Sequence, residues 1–302
     1  MERCLSICVA SYGDDVQELL EELVLCQKFG LPGDWTLETL ISDQYPKPHA
    51  KASQWNARES TTYIHNTTNK GRSANRNFLA EKATGSHLLF LDADALPKGH
   101  SFLERYCTYL ESNPVVIGGT AYKPGFKVKA LRVRVGKVKE ELVPAKRNSN
   151  PYSSFSAFNF AIEKALFQRL KFDPSLLDYG HEDTLFGLAL KHDVQPILHI
   201  DNPAYHMGID GDLEFMKKTR SAIDNLGQLI EFGRIDEDVQ LFKTYMQVRR
   251  IGLSAVLKMS YSTVGKALFN HLSRGKGPLF LFDVYKLMRL SFIAPKIGRK
   301  MP

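Results

Sequence analysis

The chain has 302 residues, 43% hydrophobic and 24% charged, and its 40 Lys plus Arg exceed its 33 Asp plus Glu by seven. That composition excludes a disordered polar chain, a collagen-like repeat and a disulfide scaffold, and a chain this long buries roughly three quarters of its unfolded surface. The positive balance points to an anionic partner: nucleic acid, a phosphorylated ligand or a membrane surface.

In chain order, LSICVAS (5–11) has the unbroken apolar run of a strand buried on both faces, and residues 14–30 follow as a helix opened by Asp14 and Asp15 and closed by Gly30. Strands are expected at 36–42 and 61–66, a helix over 72–85, a fourth strand over HLLFLDAD (87–94), a helix over 100–112 and a strand over 115–120. This alternation predicts an α/β protein with a mostly parallel, Rossmann-like central sheet flanked by helices. Such sheets bind ligands beyond the carboxyl ends of their strands. Ser11, Tyr12, Asp43, the segment from Asn66 to Gly71, Asp92 and Asp94 stand at those ends.

Further along, residues 121–150 carry nine Lys or Arg against Glu140 and Glu141. A strand is expected at 155–162, helices over KALFQRL and over residues 180–193, and a strand over QPILHI. Residues 241–302 hold twelve Lys or Arg and one acid, Asp283, so the other 210 residues together carry −11. A domain spanning 1–240 and a basic helical extension spanning 241–302 are therefore expected. Cys4, Cys8, Cys26 and Cys107 form no CxxC pair and have no His at zinc-ligand spacing, which fits reduced thiols and a cytoplasmic location. The first residues lack the pattern of a secretory signal, and no run of 18 uncharged apolar residues predicts a spanning helix.

Four constellations carry chemistry. In LDAD, a strand would turn Asp92 and Asp94 to one side, a pair suited to Mg2+ or Mn2+ with substrate phosphate completing the shell; an acidic turn before Pro97 explains the same residues. In NKGRSANRN, Gly71 precedes a helix whose first turns carry Arg72 and Arg76, where amide groups and guanidinium groups attract a diphosphate; solvated arginines at a surface helix are the alternative. In YGHED, Glu182 or Asp183 could act as a general base near an acceptor hydroxyl, and the helix dipole explains the same acids at a helix start. His206, just past QPILHI, could be a ligand or a structural histidine.

Together, LSICVASY, Asp43, NKGRSANRN, LDAD, YGHEDTLFGLAL and YHMGID occur over about residues 4–220 in an order that resembles glycosyltransferase family 2, enzymes of the GT-A fold. The resemblance implies a GT-A fold with a helical C-terminal extension, a nucleoside-diphosphate sugar donor, with a UDP-sugar favoured, and Mn2+ or Mg2+. It implies that Ala10, Ser11, Tyr12 and Asp43 line the nucleoside pocket, with Asp43 facing the base, and that Gly71, Arg72 and Arg76 serve the base or diphosphate. Asp92 and Ala93 would meet the ribose or a metal-bound water, and Asp94 with His206 would hold the metal. Asp183, with Glu182 beside it, would be the general base of an inverting displacement onto a hydroxyl of a glycan or lipid-linked glycan, in cell-surface polysaccharide synthesis. Two departures touch the nucleoside pocket: VASYG lacks the proline usual in the family, and SDQYP stands where a double acid followed by glycine and serine is common.

SYGDD lacks the glycine-rich turn of a dinucleotide-binding oxidoreductase and the glycine- and arginine-rich loop of a nucleotidyltransferase. No nucleic-acid-binding signature accompanies the basic segments, so no nucleic acid is expected. A catalytically inactive relative that binds a nucleotide sugar or glycan is the alternative, against which Asp92, Asp94 and Asp183 argue. The tail, with its apolar stretches interrupted by Lys258, Lys266, Lys286 and Arg289, could lie on the inner face of a membrane or cap the catalytic domain.

Overall fold

The computed structural model describes residues 3–176, 180–235 and 238–294. Strand β1 (Arg3–Ser11) is followed by α1 (Gln17–Phe29), β2 (Trp35–Asp43), α2 (Ala52–Asn56), β3 (Thr61–His65) and α3 (Gly71–Lys82). Next come β4 (His87–Asp92), β5 (Ala95–Pro97), α4 (Phe102–Leu110), β6 (Val115–Ile117) and β7 (Thr120–Ala121). The basic stretch folds into α5 (Leu131–Lys139) and α6 (Pro144–Asn148), ahead of β8 (Asn159–Glu163), α7 (Lys164–Leu170), α8 (Glu182–His192), β9 (Leu198–His199) and β10 (Ala204–His206). The remainder is helical: α9 (Asp212–Glu231), α10 (Gln240–Arg250), α11 (Leu253–Ser260), a π-helical turn (Tyr261–Gly265), α12 (Lys266–Leu272) and α13 (Leu279–Ile293).

The chain divides into two compact units. The first comprises Met1–Lys123, Lys139–Leu177 and Phe186–Gly208 and contains a sheet ordered β3-β2-β1-β4-β8-β6-β9. Its β1, β2, β3 and β4 run parallel, β8 runs antiparallel between β4 and β6, and β6 pairs parallel with β9. A second sheet, β5-β10-β7, lies in the same unit.

The central strands are apolar at successive positions because both faces are covered. Leu5, Ile7, Val9, Leu89 and Leu91 face one core with Leu19, Leu20 and Leu23 of α1 and Phe102, Leu103 and Tyr106 of α4. Cys8, Leu88 and Phe90 face the other, with Leu79 and Ala80 of α3 and the aromatic group Phe160, Phe167, Phe172 and Phe186. Cys8, Cys26 and Cys107 are buried and all four cysteines are free; burial raises the Cys8, Cys26 and Cys107 thiols well above the ordinary range.

Several expected strands are shorter than their apolar runs. The run over 87–94 is a strand only to Asp92, and Ala93–Asp94 form a turn, so the alternation that would have paired Asp92 with Asp94 does not operate. The run over 115–120 is broken at Gly118–Gly119, where the backbones crowd: a Cβ on Gly118 would lie 2.2 Å from the Asn202 carbonyl. Of the expected strand at 155–162 only 159–162 pairs, running on to Glu163, and QPILHI contributes two strand residues.

The second unit comprises Pro124–Val138, Asp178–Leu185 and Ile209–Pro302. Within it α13 packs on α9, α10, α11 and α12, burying Phe282, Tyr285, Met288 and Leu290. Arg289 forms a two-pronged ion pair with Asp224 of α9, Nε to Oδ1 and Nη2 to Oδ2 both at 2.7 Å. That cation is thus committed to helix packing. Among the described residues no helix is long and apolar enough to cross a membrane.

Candidate active site

At the carboxyl end of β1, Ser11 is buried and its hydroxyl lies 3.2 Å from Asp14 Oδ2, while the Asp14 amide donates to Ser11 Oγ at 3.1 Å. The Tyr12 amide donates to Asp14 Oδ2 at 3.0 Å. Gly13 turns with φ +80°, and its amide donates to Asp43 Oδ1 at 2.8 Å. The same oxygen accepts the Tyr45 amide at 3.0 Å, and Asp43 Oδ2 accepts the Tyr63 hydroxyl at 2.8 Å. Burial, with Asp43 as acceptor, pushes the Tyr63 phenol up to about 12. Asp43 is 0% exposed, so its carboxylate braces the turns after β1 and β2 from inside. Above it the rings of Tyr12 and Tyr45 meet edge to face at 5.3 Å and remain half exposed, 51% and 45%. Ala10 is partly buried and pairs with Ser42 and Asp92 across the sheet.

The turn into α3 is held by Gln44, whose side chain accepts the Lys70 amide at 3.1 Å, and by Asn69, whose side chain accepts the Gly71 amide at 2.9 Å. Gly71 has φ +84°, which suits glycine. From this turn Arg72 is exposed, whereas Arg76, one helical turn later, is 3% exposed and reaches Asp92 Oδ1 at 2.6 Å. Its guanidinium lies over the Phe172 ring at 5.3 Å.

Asp94, in the turn after β4, meets His206, the last residue of β10, with Oδ2 to Nε2 at 3.1 Å. Pairing of β10 with β5, which sets His206 opposite Ala95, and a Met207 amide bond to the Asp94 carbonyl at 2.9 Å fix this approach. Phe158 and Tyr122 contact the His206 ring edge to face at 5.1 and 6.0 Å. Burial would raise the Asp94 carboxyl, but the His206 hydrogen bond, the His206 charge and Arg72 outweigh it and hold it below its ordinary value. A cavity of about 240 Å³ opens beside this pair, lined by Asp14, Asp15, Glu18, Asp94, Met207 and Gly208 among others.

Asp92, Ala93, Asp94, Arg72, Arg76 and His206 therefore belong to one unit with Ala10, Ser11, Tyr12, Asp43 and Gly71. Among the described residues, no group of three or more His, Cys, Asp or Glu side chains is arranged to hold a metal ion. Asp94 and His206 supply one hard oxygen and one imidazole nitrogen, a set that fits a divalent cation taking its other ligands from phosphate oxygens and water. Gly208 closes on the carboxylate from behind, since a Cβ there would lie 2.0 Å from Asp94 Oδ2. Gly208, Asp14, Tyr45 and Gln44 stand inside segments that the sequence singles out, YHMGID, SYGDD and SDQYP, but not as site residues.

Asp183 and Glu182 open α8 and belong to the second unit. The preceding Gly180 and His181 both have positive φ, +100° and +72°, a turn held by Asn225, which donates to the Gly180 carbonyl at 2.7 Å. His181 Nδ1 lies 3.1 Å from the Thr184 hydroxyl, and burial lowers the His181 pKa. Tyr179 of the same motif lies outside the described residues.

Residues 40–167 match the family model described as Glycosyl transferase family 2. Mannosyltransferase PcManGT from Pyrobaculum calidifontis, solved with GDP-Man and Mn2+, superposes with a TM-score of 0.58 at 15% identity, over 100% of this chain and 89% of that one. S. aureus TarS 1-349 superposes with a TM-score of 0.50 at 18% identity, over 86% of this chain and 72% of that one. Its complex with UDP gives a TM-score of 0.50 at 16% identity, over 96% and 90%. No curated protein matches the sequence. The fold is the mixed α/β, GT-A-like fold of these structures, with a helical C-terminal region.

Proposed function

We propose that the chain is a metal-dependent, inverting glycosyltransferase of family 2 that moves a sugar from a nucleoside-diphosphate sugar, a UDP-sugar favoured, to a hydroxyl of a glycan or lipid-linked glycan in cell-surface polysaccharide synthesis. Residues 1–240 form the catalytic part, and 241–302 the extension that meets the inner face of the membrane. The observation that carries the reading is the ionised Asp94 held by His206 beside an open cavity, with Asp94 in the turn after β4 and within the segment that matches the family model. The Mn2+ and GDP-Man of PcManGT and the UDP of TarS support the donor class and the metal.

In this reading Tyr12 and Tyr45 give the nucleoside an aromatic wall, and Asp43 keeps the loop that bears them in shape. Arg76 holds Asp92 in place, and Arg72 stands exposed at the helix start to meet the diphosphate. Bound at Asp94 and His206, Mn2+ or Mg2+ would supply positive charge for the departing nucleoside diphosphate. Asp183 takes the proton from the acceptor hydroxyl as its oxygen attacks the anomeric carbon; the bond to the diphosphate breaks as the new glycosidic bond forms, inverting the configuration.

The test is a panel of UDP-, GDP- and other nucleoside-diphosphate sugars, read by release of nucleoside diphosphate with Mn2+, with Mg2+ and with EDTA. Metal-dependent turnover of one donor is expected, and Asp183→Asn should lower kcat by about 10²-fold or more while the donor still binds. Neither turnover nor metal-dependent binding across the panel would overturn the proposal.

A further inference from the structure

Helix α11 has an unusual environment for its composition. LSAVLKMS is largely apolar, yet none of its eight residues is buried. Leu253 is 44% exposed, Val256 58% and Met259 80%, with Ile251 just before them at 74%. Beside this apolar surface lies a cavity of about 220 Å³ lined by Tyr245 and Arg249 of α10, Ser254, Ala255 and Lys258 of α11, and Ser291 and Ala294 at the end of α13. Ser291 is 3% exposed, and its hydroxyl has no hydrogen-bond partner among the described residues. A buried hydroxyl left so is costly unless a ligand meets it. The one acid between residues 241 and 302, Asp283, is 3.1 Å from Lys286 on its own helix.

We propose that this face docks on an anionic phospholipid bilayer, with the cavity receiving a lipid phosphate. Arg249 and Lys258 meet the phosphate charge and Ser291 donates its hydroxyl proton to a phosphate oxygen. Successive residues of a helix are separated by roughly 100°, so the cavity-lining positions 254, 255 and 258 and the exposed positions 253, 256 and 259 occupy adjoining arcs of α11. A headgroup seated in the cavity leaves Val256 and Met259 at the level of the upper acyl chains, the arrangement of a helix lying in the interface. Charge selects this occupant over a second copy of the chain. A twofold contact through the same face would bring Arg249, Arg250 and Lys258 near their own counterparts, whereas a bilayer of anionic lipid neutralises them. The inference deepens the membrane contact proposed above and is independent of the donor chemistry.

The experiment is flotation of the full chain with vesicles of phosphatidylcholine alone and of phosphatidylcholine containing 30 mol% phosphatidylglycerol, a mixture set at roughly the anionic range where polybasic surfaces bind. Flotation with the anionic vesicles only is expected. Arg249→Glu with Lys258→Glu should weaken it about 25-fold or more, taking about fivefold for each cation lost. Val256→Asp with Met259→Asp should weaken it comparably with thermal unfolding unchanged, because both side chains are exposed. Ser291→Ala should reduce flotation while leaving the other contacts in place. Titration with glycerol phosphate separates the sources: binding of the soluble ester without flotation would make the site one for a free phosphate and overturn the bilayer. Absence of flotation, equal flotation of the charge-reversed variant, or a dimer in sedimentation that the aspartate variant abolishes would also overturn it. Donor turnover with a soluble acceptor, measured in the same variants, reports on the catalytic reading separately and should be unchanged.

Discussion

Asp43 illustrates how a residue found by motif can also carry work that the motif does not show. Its position at the carboxyl end of β2 was legible, but its carboxylate faces inward and accepts two amide protons and one phenol proton. Nothing in a single sequence announces those three donors, because residues 13 and 45 lie in two separate turns and residue 63 lies in β3. The bracing role has a direct consequence. Asp43→Asn replaces one oxygen with an amide that donates where the loop also donates, so a buried donor loses its acceptor. A loss of about 1–3 kcal/mol is expected in urea unfolding, with the slope unchanged. An unchanged midpoint would mean that the carboxylate does not hold the loop.

The longer elements were the most legible: β1 and β4, buried on both faces, declare themselves as apolar runs, and α1, α3 and α7 as helical patterns of the right length. Strands of three residues such as β5 and β10 have no period to read, and these two build the pocket for Asp94 and His206. Residues 121–150 are basic by composition, yet Arg147 is 5% exposed and donates to the carbonyls of Leu142, Ile117, Gly118 and Ile200. Three of these acceptors, Ile117, Gly118 and Ile200, lie far along the chain, where composition is silent. Gly208 has no positive φ to protect, so Gly208→Ala acts through contact alone, driving a methyl group into the space of Asp94 Oδ2. A displacement of that order should weaken metal-dependent donor binding about tenfold or more, whereas Gly99→Ala, which meets nothing within 4 Å, should leave it unchanged. Calorimetric titration of the donor with Mn2+ separates the two, and equal affinities would show that the Asp94 position is not critical.

For the molecule as a whole, the arrangement around Arg147 predicts how the fold responds to acid. His199 is 2% exposed, and its Nε2–H donates to the Pro151 carbonyl at 2.9 Å while Nδ1 accepts from Arg147 Nη1 at 3.1 Å. The carbonyl can only accept and the guanidinium only donate, so both contacts are satisfied by the neutral ring alone. Burial, opposed by the Pro151 bond and reinforced by the Arg147 charge, lowers the His199 pKa to about 4. Its unfolded value is near 6.5, so between those values the unfolded chain binds a proton that the folded chain refuses. The stability held by the neutral ring is therefore complete above about pH 6.5 and declines as pH falls toward about 4, by on the order of 3 kcal/mol. His199→Gln retains a donor for Pro151 and removes the titration. Urea unfolding at intervals from pH 7.5 to 4.5 should give a curve for the variant that is flatter by about that amount, although the variant is less stable at neutral pH. Parallel curves for the two proteins would show that His199 titrates in the folded protein as it does in water, and that the guanidinium does not hold it neutral.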